Sequence, residues 1–190
     1  MICVKRLSCC CLVLGLALPA LAWAQPASSI DPAHSAITFV ATQMGVAAEG
    51  GFKRFTARVD FAPARLAASQ ARIEIELDSF DSGVAEVDTE VKRKAWFDTA
   101  QFPTATFVSS AVRSLGANRY EAAGKMTIKG RTRDVTVPFA VRQDGAASVF
   151  EGVFTLKRLD YGIGEGVWSD TDTVADEIQI RFKLTGTSRK

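Results

Sequence analysis

The chain has 190 residues, with 23 basic and 21 acidic side chains, one histidine and four cysteines. That length suffices for one sizeable core, and so balanced a charge offers no long-range field for a phosphate backbone, which argues against nucleic acid as a partner. Cys3, Cys9, Cys10 and Cys11 are the only cysteines, so everything after residue 11 must be held by burial and hydrogen bonds without a disulfide.

The first residues run Lys5-Arg6, an apolar stretch over 7–21, then Ala22-Trp23-Ala24 before Gln25. This charged, apolar, small-residue order predicts a secretory signal peptide cleaved after Ala24. The stretch is about fifteen residues long and broken by Gly15 and Pro19, short of the roughly twenty a membrane-spanning helix needs. It also follows the cysteines, whereas lipid attachment would need it before them. Lys5 and Arg6 leave with the signal, so residues 25–190 carry 21 basic and 21 acidic side chains. A single exported domain, periplasmic or secreted, is expected.

Period-two alternation dominates the chain after this segment. It predicts strands over 37–43, 55–61 and 71–78, the last reading Ala71-Arg72-Ile73-Glu74-Ile75-Glu76-Leu77-Asp78, with every second residue apolar. Val84, Val87 and Val91, spaced three and four apart, predict a short helix over 84–95, between strands three and four. Strands come next over 104–110, 120–128, 135–141, 149–156 and 178–184, several separated by turn signals such as Lys129-Gly130 and Gln143-Asp144-Gly145. On the 120–128 strand, Ala122, Met126 and Ile128 share one face, and Lys125, Thr127 and Lys129 the other. The predicted fold is all-β: eight antiparallel strands closed into a barrel, because closure removes exposed edges.

The chain resembles the YceI family of bacterial secreted proteins. The resemblance is carried by Asp31-Pro32-Ala33-His34-Ser35, Gly51-Phe52-Lys53-Arg54-Phe55, Trp96-Phe97-Asp98 with Phe102-Pro103-Thr104-Ala105-Thr106-Phe107, the stretch from Gly124 to Gly130 with Thr132, Arg158-Leu159-Asp160-Tyr161-Gly162, and Asp176-Glu177-Ile178. Lys129 stands where the family often has histidine, and Ala95 where an acidic residue is usual. The resemblance implies a lipocalin-like barrel that binds polyisoprenoids, such as isoprenoid quinones or prenyl pyrophosphates, in its lumen.

With the apolar face turned inward, the candidates for contact with a lipid tail are Phe39, Phe55, Phe61, Ile75, Phe107, Met126, Phe139, Phe154 and Phe182, since rings and thioethers offer polarizable area with some tolerance of shape. Some of these must instead plug the barrel. Lys92, Arg93 and Lys94 are candidates for a cationic rim that meets a polar head group, on a helix that could act as a lid.

No catalytic residue, cofactor or metal is expected. His34 lacks companion ligands for zinc and reads as structural in the lead to the first strand; no Gly-x-Ser-x-Gly elbow occurs; Asp170, Asp172, Asp176 and Glu177 lack the pattern of a helical calcium loop. Glu74 and Glu76 share a face with Arg72 and Asp78 and read as outer wall. Arg158 and Asp160 read as a structural pair at a strand end. The function expected is therefore a non-catalytic carrier whose partner is an isoprenoid or other amphiphilic lipid; transient contact with a membrane or membrane protein, and homodimerisation, are compatible with it. The competing readings are an integral outer-membrane barrel, which would turn its apolar face to lipid, and an enzyme acting on an isoprenoid substrate.

Overall fold

A computed structural model describes residues 28–187; the expected signal segment and its cleavage point after Ala24 lie outside the described residues. Each alternating strand has one apolar face that must be covered. Among the described residues eleven strands join one sheet: β1 (Ser28–Ser29), β2 (Ala36–Gln43), β3 (Val46–Phe52), β4 (Phe55–Asp60), β5 (Gln70–Glu76), β6 (Phe80–Asp81), β7 (Thr104–Gly116), β8 (Arg119–Ile128), β9 (Arg131–Asp144), β10 (Ala147–Lys157) and β11 (Glu177–Thr187). Their spatial order is β1-β4-β5-β7-β8-β9-β10-β11-β2-β3-β6, and every pairing is antiparallel. β7 to β11 form a meander, and β11 then pairs with β2, so the sheet curls round an apolar interior.

β3 and β4 follow one another in sequence but do not pair, because the chain bends at Lys53-Arg54 and crosses to β5. The resulting seam is bridged twice. Residues 77–79 lead from β5 into β6, which pairs with β3, and Ile30, just beyond β1 on β4, bridges Gly186 of β11. Buried Ser79 ties the bend: its Oγ accepts from Arg54 N–H at 3.0 Å and donates to the Glu76 carbonyl at 2.6 Å, while Lys53 N–H donates to the Ser79 carbonyl at 3.0 Å.

Each of the eight expected runs falls largely on a strand, but eight strands become eleven. β3 escaped the alternation because its sequence, Val-Ala-Ala-Glu-Gly-Gly-Phe, has few large side chains to alternate. The helix, α1, is Ala85–Glu90 and lies between β6 and β7. It is shorter than expected because a further turn of helix would carry Trp96 to the face opposite Val87. Instead Phe97 N–H returns to the Val91 carbonyl at 2.9 Å and Trp96 N–H to Arg93 at 2.9 Å, and both rings turn inward.

The faces of β8 are as the alternation predicts over 122–128: Ala122, Met126 and Ile128 are buried, Lys125 pairs with Asp134 at 2.9 Å, and Thr127 Oγ1 meets Thr132 Oγ1 at 2.8 Å on the outside. Lys129, expected outward, is buried. It has left the strand for a turn with φ of 48°, and its Nζ donates to the Gly162 carbonyl at 2.6 Å.

The β9–β10 ladder is short. It joins residues 140–144 to 147–151 and stops there. The next outward-pointing group on β9 belongs to Pro138, whose carbonyl faces Gly152 and which has no N–H to give.

Candidate functional site

The curled sheet encloses a cavity of about 430 Å³, within the range of roughly 300–1,000 Å³ usual for ligand sites. Eight of the nine predicted tail-contact residues line it. Three of them, Phe39, Phe107 and Phe182, pack against glycines of the neighbouring strands: a Cβ at Gly50, Gly124 or Gly152 would come within 2.5, 2.8 and 2.5 Å of the respective ring. Phe61 and Phe139 belong to an aromatic knot with Tyr120 and Phe150, with ring centroids 4.9 to 6.3 Å apart. Ile75, Met126 and Phe154 supply aliphatic and aromatic wall between.

Phe55 is the exception. It points to the same side of β4 as buried Val59, but it stands at the bend, where β3 and β4 part. There it packs against the cluster of Ile37, Val59, Phe150 and Leu184 and lines a separate groove whose rim carries Lys53, Arg54, Glu76 and Asp81.

The basic triplet does not line the cavity either. Lys92, Arg93 and Lys94 lie in the turn after α1, and Arg93 pairs with Glu90 at 2.9 Å. The helix instead presents Glu86, Val87, Glu90 and Val91 to the cavity, residues four apart on one face. At that end the exposed lining residues are Glu86 and Val87 of α1, with Gln43, Ala48 and Glu49 of the β2–β3 hairpin; at the other they are Asp60 and Gln70, register partners on β4 and β5. Among the described residues the charged lining groups are thus the carboxylates Glu49, Asp60, Glu86 and Glu90, and one cation, Arg158.

Arg158 is 1% exposed. Its partner is not Asp160, as the sequence suggested, but the backbone of the long β10–β11 loop. Nε donates to Ala175 O at 3.1 Å, Nη1 to Ile163 O at 2.9 Å and Gly164 O at 3.1 Å, and Nη2 to Trp168 O and Val174 O, each at 2.7 Å. Five donors in a rigid fork meet five carbonyls, a match that only a guanidinium allows. Burial pushes its pKa down from the ordinary arginine value, partly opposed by Asp176.

The outside of the same loop is tied by Glu165, which accepts from Lys129 at 3.2 Å and Arg131 at 2.7 Å. Gly164 and Glu165 N–H both reach the Ala95 carbonyl, at 2.9 and 2.8 Å. The Trp96 ring lies 5.8 Å from the Arg158 guanidinium and 5.4 Å from the Trp168 ring; among the described residues its buried Nε1 has no hydrogen-bond partner. Trp96, Phe97 and Arg158 carry part of the family resemblance, but alternation alone does not place them at the cavity. Trp96 and Phe97 follow the charged run 92–94 after Ala95, the one signal that could have pointed inward.

Among the described residues no group of three or more His, Cys, Asp and Glu side chains is placed to hold a metal. Exposed His34 Nδ1 lies 2.7 Å from Asp31, whose other oxygen caps the turn before β2. In the acidic loop, Asp170 accepts from Asp172 N–H and Thr173 Oγ1, and Asp176 from Leu159 N–H, so these carboxylates shape turns. Glu74 pairs with Arg72, and Glu76 with Arg54 at 2.6 Å, on the outer wall.

A family model described as the YceI-like domain matches residues 29–186. A UPF0312 protein of Vibrio cholerae serotype O1 is 30% identical over 138 residues, 69% of this chain and 73% of the relative. A UPF0312 protein of Azotobacter vinelandii is 26% identical over 185 residues, 92% of this chain and 94% of its own length. Among solved structures, Burkholderia cenocepacia BcnA superposes with a TM-score of 0.81 at 46% identity, covering 83% of this chain and 99% of BcnA. A Saccharophagus degradans domain described as polyisoprenoid binding shares the fold, with a TM-score of 0.70 at 15% identity over 87% of this chain and all of that one. By sequence and fold together, the chain belongs to the family of YceI-like domains.

Proposed function

We propose that the protein is an exported carrier that holds the apolar tail of an isoprenoid-type lipid in its barrel and performs no chemistry of its own. The observation that carries this reading is the cavity: its wall is aromatic and aliphatic from end to end, and its polar lining groups lie mainly at the two ends. The description of the Saccharophagus domain as polyisoprenoid binding supports the ligand class, and the Lys5-to-Ala24 pattern supports export. The outer face of the wall carries cross-strand ion pairs such as Arg113–Glu121 and Lys125–Asp134, which disfavours an outer-membrane barrel.

The ends of the cavity bear on the head group. Carboxylates stand at both, and the lining cation, Arg158, is already engaged by five carbonyls. A neutral head of the quinone kind fits these surroundings, whereas a pyrophosphate would meet like charge.

Magnitudes decide the donor. Each CH₂ that leaves water gains about 0.8 kcal/mol, so a tail long enough to fill the cavity would be released into water only very slowly. The exchange partner must therefore be another apolar phase, where transfer is nearly neutral. Native mass spectrometry of protein purified without detergent tests the reading: a discrete bound lipid mass is expected, and an empty lumen or turnover of an added isoprenoid would overturn it.

A further inference from the structure

Eight large apolar side chains are exposed among the described residues, and five gather at the α1 end of the barrel: Met44 (77%), Val46 (70%), Val84 (49%), Val87 (39%) and Val167 (85%). They come from three segments, and each segment also lines the cavity. The β2–β3 hairpin contributes Gln43 and Ala48 to the lining, α1 contributes Glu86 and Val87, and the β10–β11 loop contributes Trp168 and Val174.

The three segments are fixed to one another. Met44 N–H donates to Thr173 O at 2.9 Å and Ala175 N–H to Thr42 O at 2.9 Å, which ties hairpin to loop; Gly164 N–H to Ala95 O at 2.9 Å and the Trp96–Trp168 contact tie loop to helix segment. The apolar tips therefore form a held rim around the place where an apolar cavity meets solvent. Exposed apolar patches of this kind mark docking surfaces.

From this geometry we infer that the rim formed by Met44, Val46, Val84, Val87 and Val167 is a membrane-docking surface, which seats the cavity mouth on the interface of a lipid bilayer. The inference rests on the carrier reading, since a cavity that exchanges its contents with an apolar phase must open onto one. Charge on the same segments is mixed: Glu49, Glu86, Glu90, Asp170 and Asp172 stand against Lys92, Arg93 and Lys94. No electrostatic attraction to anionic lipid is built in, so apolar insertion drives the contact, and a zwitterionic bilayer suffices.

The test uses the chain from Gln25, which contains all described residues and omits the apolar stretch over 7–21, together with vesicles of phosphatidylcholine alone. Co-sedimentation is measured for this chain, for Met44→Ser/Val46→Ser/Val167→Ser, and for Val108→Ser/Val153→Ser, whose exposed residues lie on the outer wall of β7 and β10. Vesicle binding should fall about tenfold or more in the triple variant and stay within about twofold in the control. It should change little between about 0.05 and about 0.5 M salt. Fluorescence of Trp168, next to Val167, should be quenched by lipids brominated in the upper acyl chain, and less so in the triple variant. Absence of binding by the parent chain, equal loss in both variants, loss on adding salt, or a change in self-association in place of vesicle binding would each overturn the inference. Mass spectrometry of copurified lipid runs alongside: a filled lumen without vesicle binding sinks the docking surface alone, whereas an empty lumen sinks the carrier reading.

Discussion

The ring of Phe182 in β11 lies on the bare backbone of its register partner Gly152 in β10, so closely that a Cβ at 152 would fall 2.5 Å from Phe182 Cζ and 2.6 Å from Cε1. Backbone cannot retreat as a side-chain tip can, and the Pro138 carbonyl approaches the same point from β9. Gly152→Ala should therefore destabilise the fold by about 1–3 kcal/mol through overpacking. The double variant Gly152→Ala/Phe182→Leu should lose less than the sum of its parts, because the two residues compete for one space. Urea unfolding of the four proteins in the cycle checks this; strict additivity would refute it.

Met126 and Thr127 offer the contrast of lumen with surface. Met126→Lys places an ammonium in an apolar cavity, where it must lose hydration or shift its pKa, so the protein should lose its copurified lipid or fail to fold. Thr127→Lys removes one outer hydroxyl contact and should cost no more than about 1 kcal/mol. Met126→Phe should shorten the longest tail accepted. Circular dichroism and the mass of extracted lipid, measured in parallel, separate these outcomes.

Arg158→Met would leave five loop carbonyls without their donor while filling similar volume. A loss of about 3–5 kcal/mol is expected, in the range for removing one side of a buried charged network, with faster amide exchange across residues 163–175. Arg158→Lys should recover little, because three donors on a point charge cannot reach five carbonyls spread round a plane. Exchange no faster than in the parent protein would show that the loop is held by something else.

Glu165 supplies a pH dependence with a definite sign. The hydrogen bond from Lys129, then the charges of Lys129 and Arg131, hold its carboxyl below the ordinary value of 4.5. In the window between the folded and ordinary values the unfolded chain binds the extra proton, so this contribution to stability is full above pH 4.5 and disappears as pH falls through the folded value. Asp31, Asp81 and Asp170 are shifted the same way, so the parent's acid slope is composite. Glu165→Gln should flatten part of it and leave the slope above about pH 6 unchanged, as read from urea midpoints across the acid range; an unaltered slope would count against the assignment.

Alternation made most of the wall legible in advance, including which face of β8 looks inward, because period two needs only local pattern and a core to bury it in. What it could not reveal depends on partners far away in the chain. β3 is a strand because Phe39 covers Gly50, and glycine and alanine leave no alternation to read. The charges of 92–94 continue the pattern of a helix, yet the chain stops being helical so that Trp96 and Phe97 can turn to the cavity. Phe55 has the right face and the wrong height, set by a bend whose only local sign is Lys53-Arg54. Arg158 looked like half of an ion pair because side-chain charges are visible in a sequence and loop carbonyls are not.

The β9–β10 ladder ends near Pro138 with half of each strand still to run, so from Arg131 to Phe139 and from Gly152 to Lys157 the two strands pair with their outer neighbours and not with each other. Along that line the wall behaves like the placket of a garment: spreading it breaks side-chain contacts, such as Arg133 Nη2 on the Asp160 carbonyl at 2.9 Å, and leaves every rung of the ladder intact. Along this one line the width of the wall is set by side-chain contacts and not by backbone hydrogen bonds.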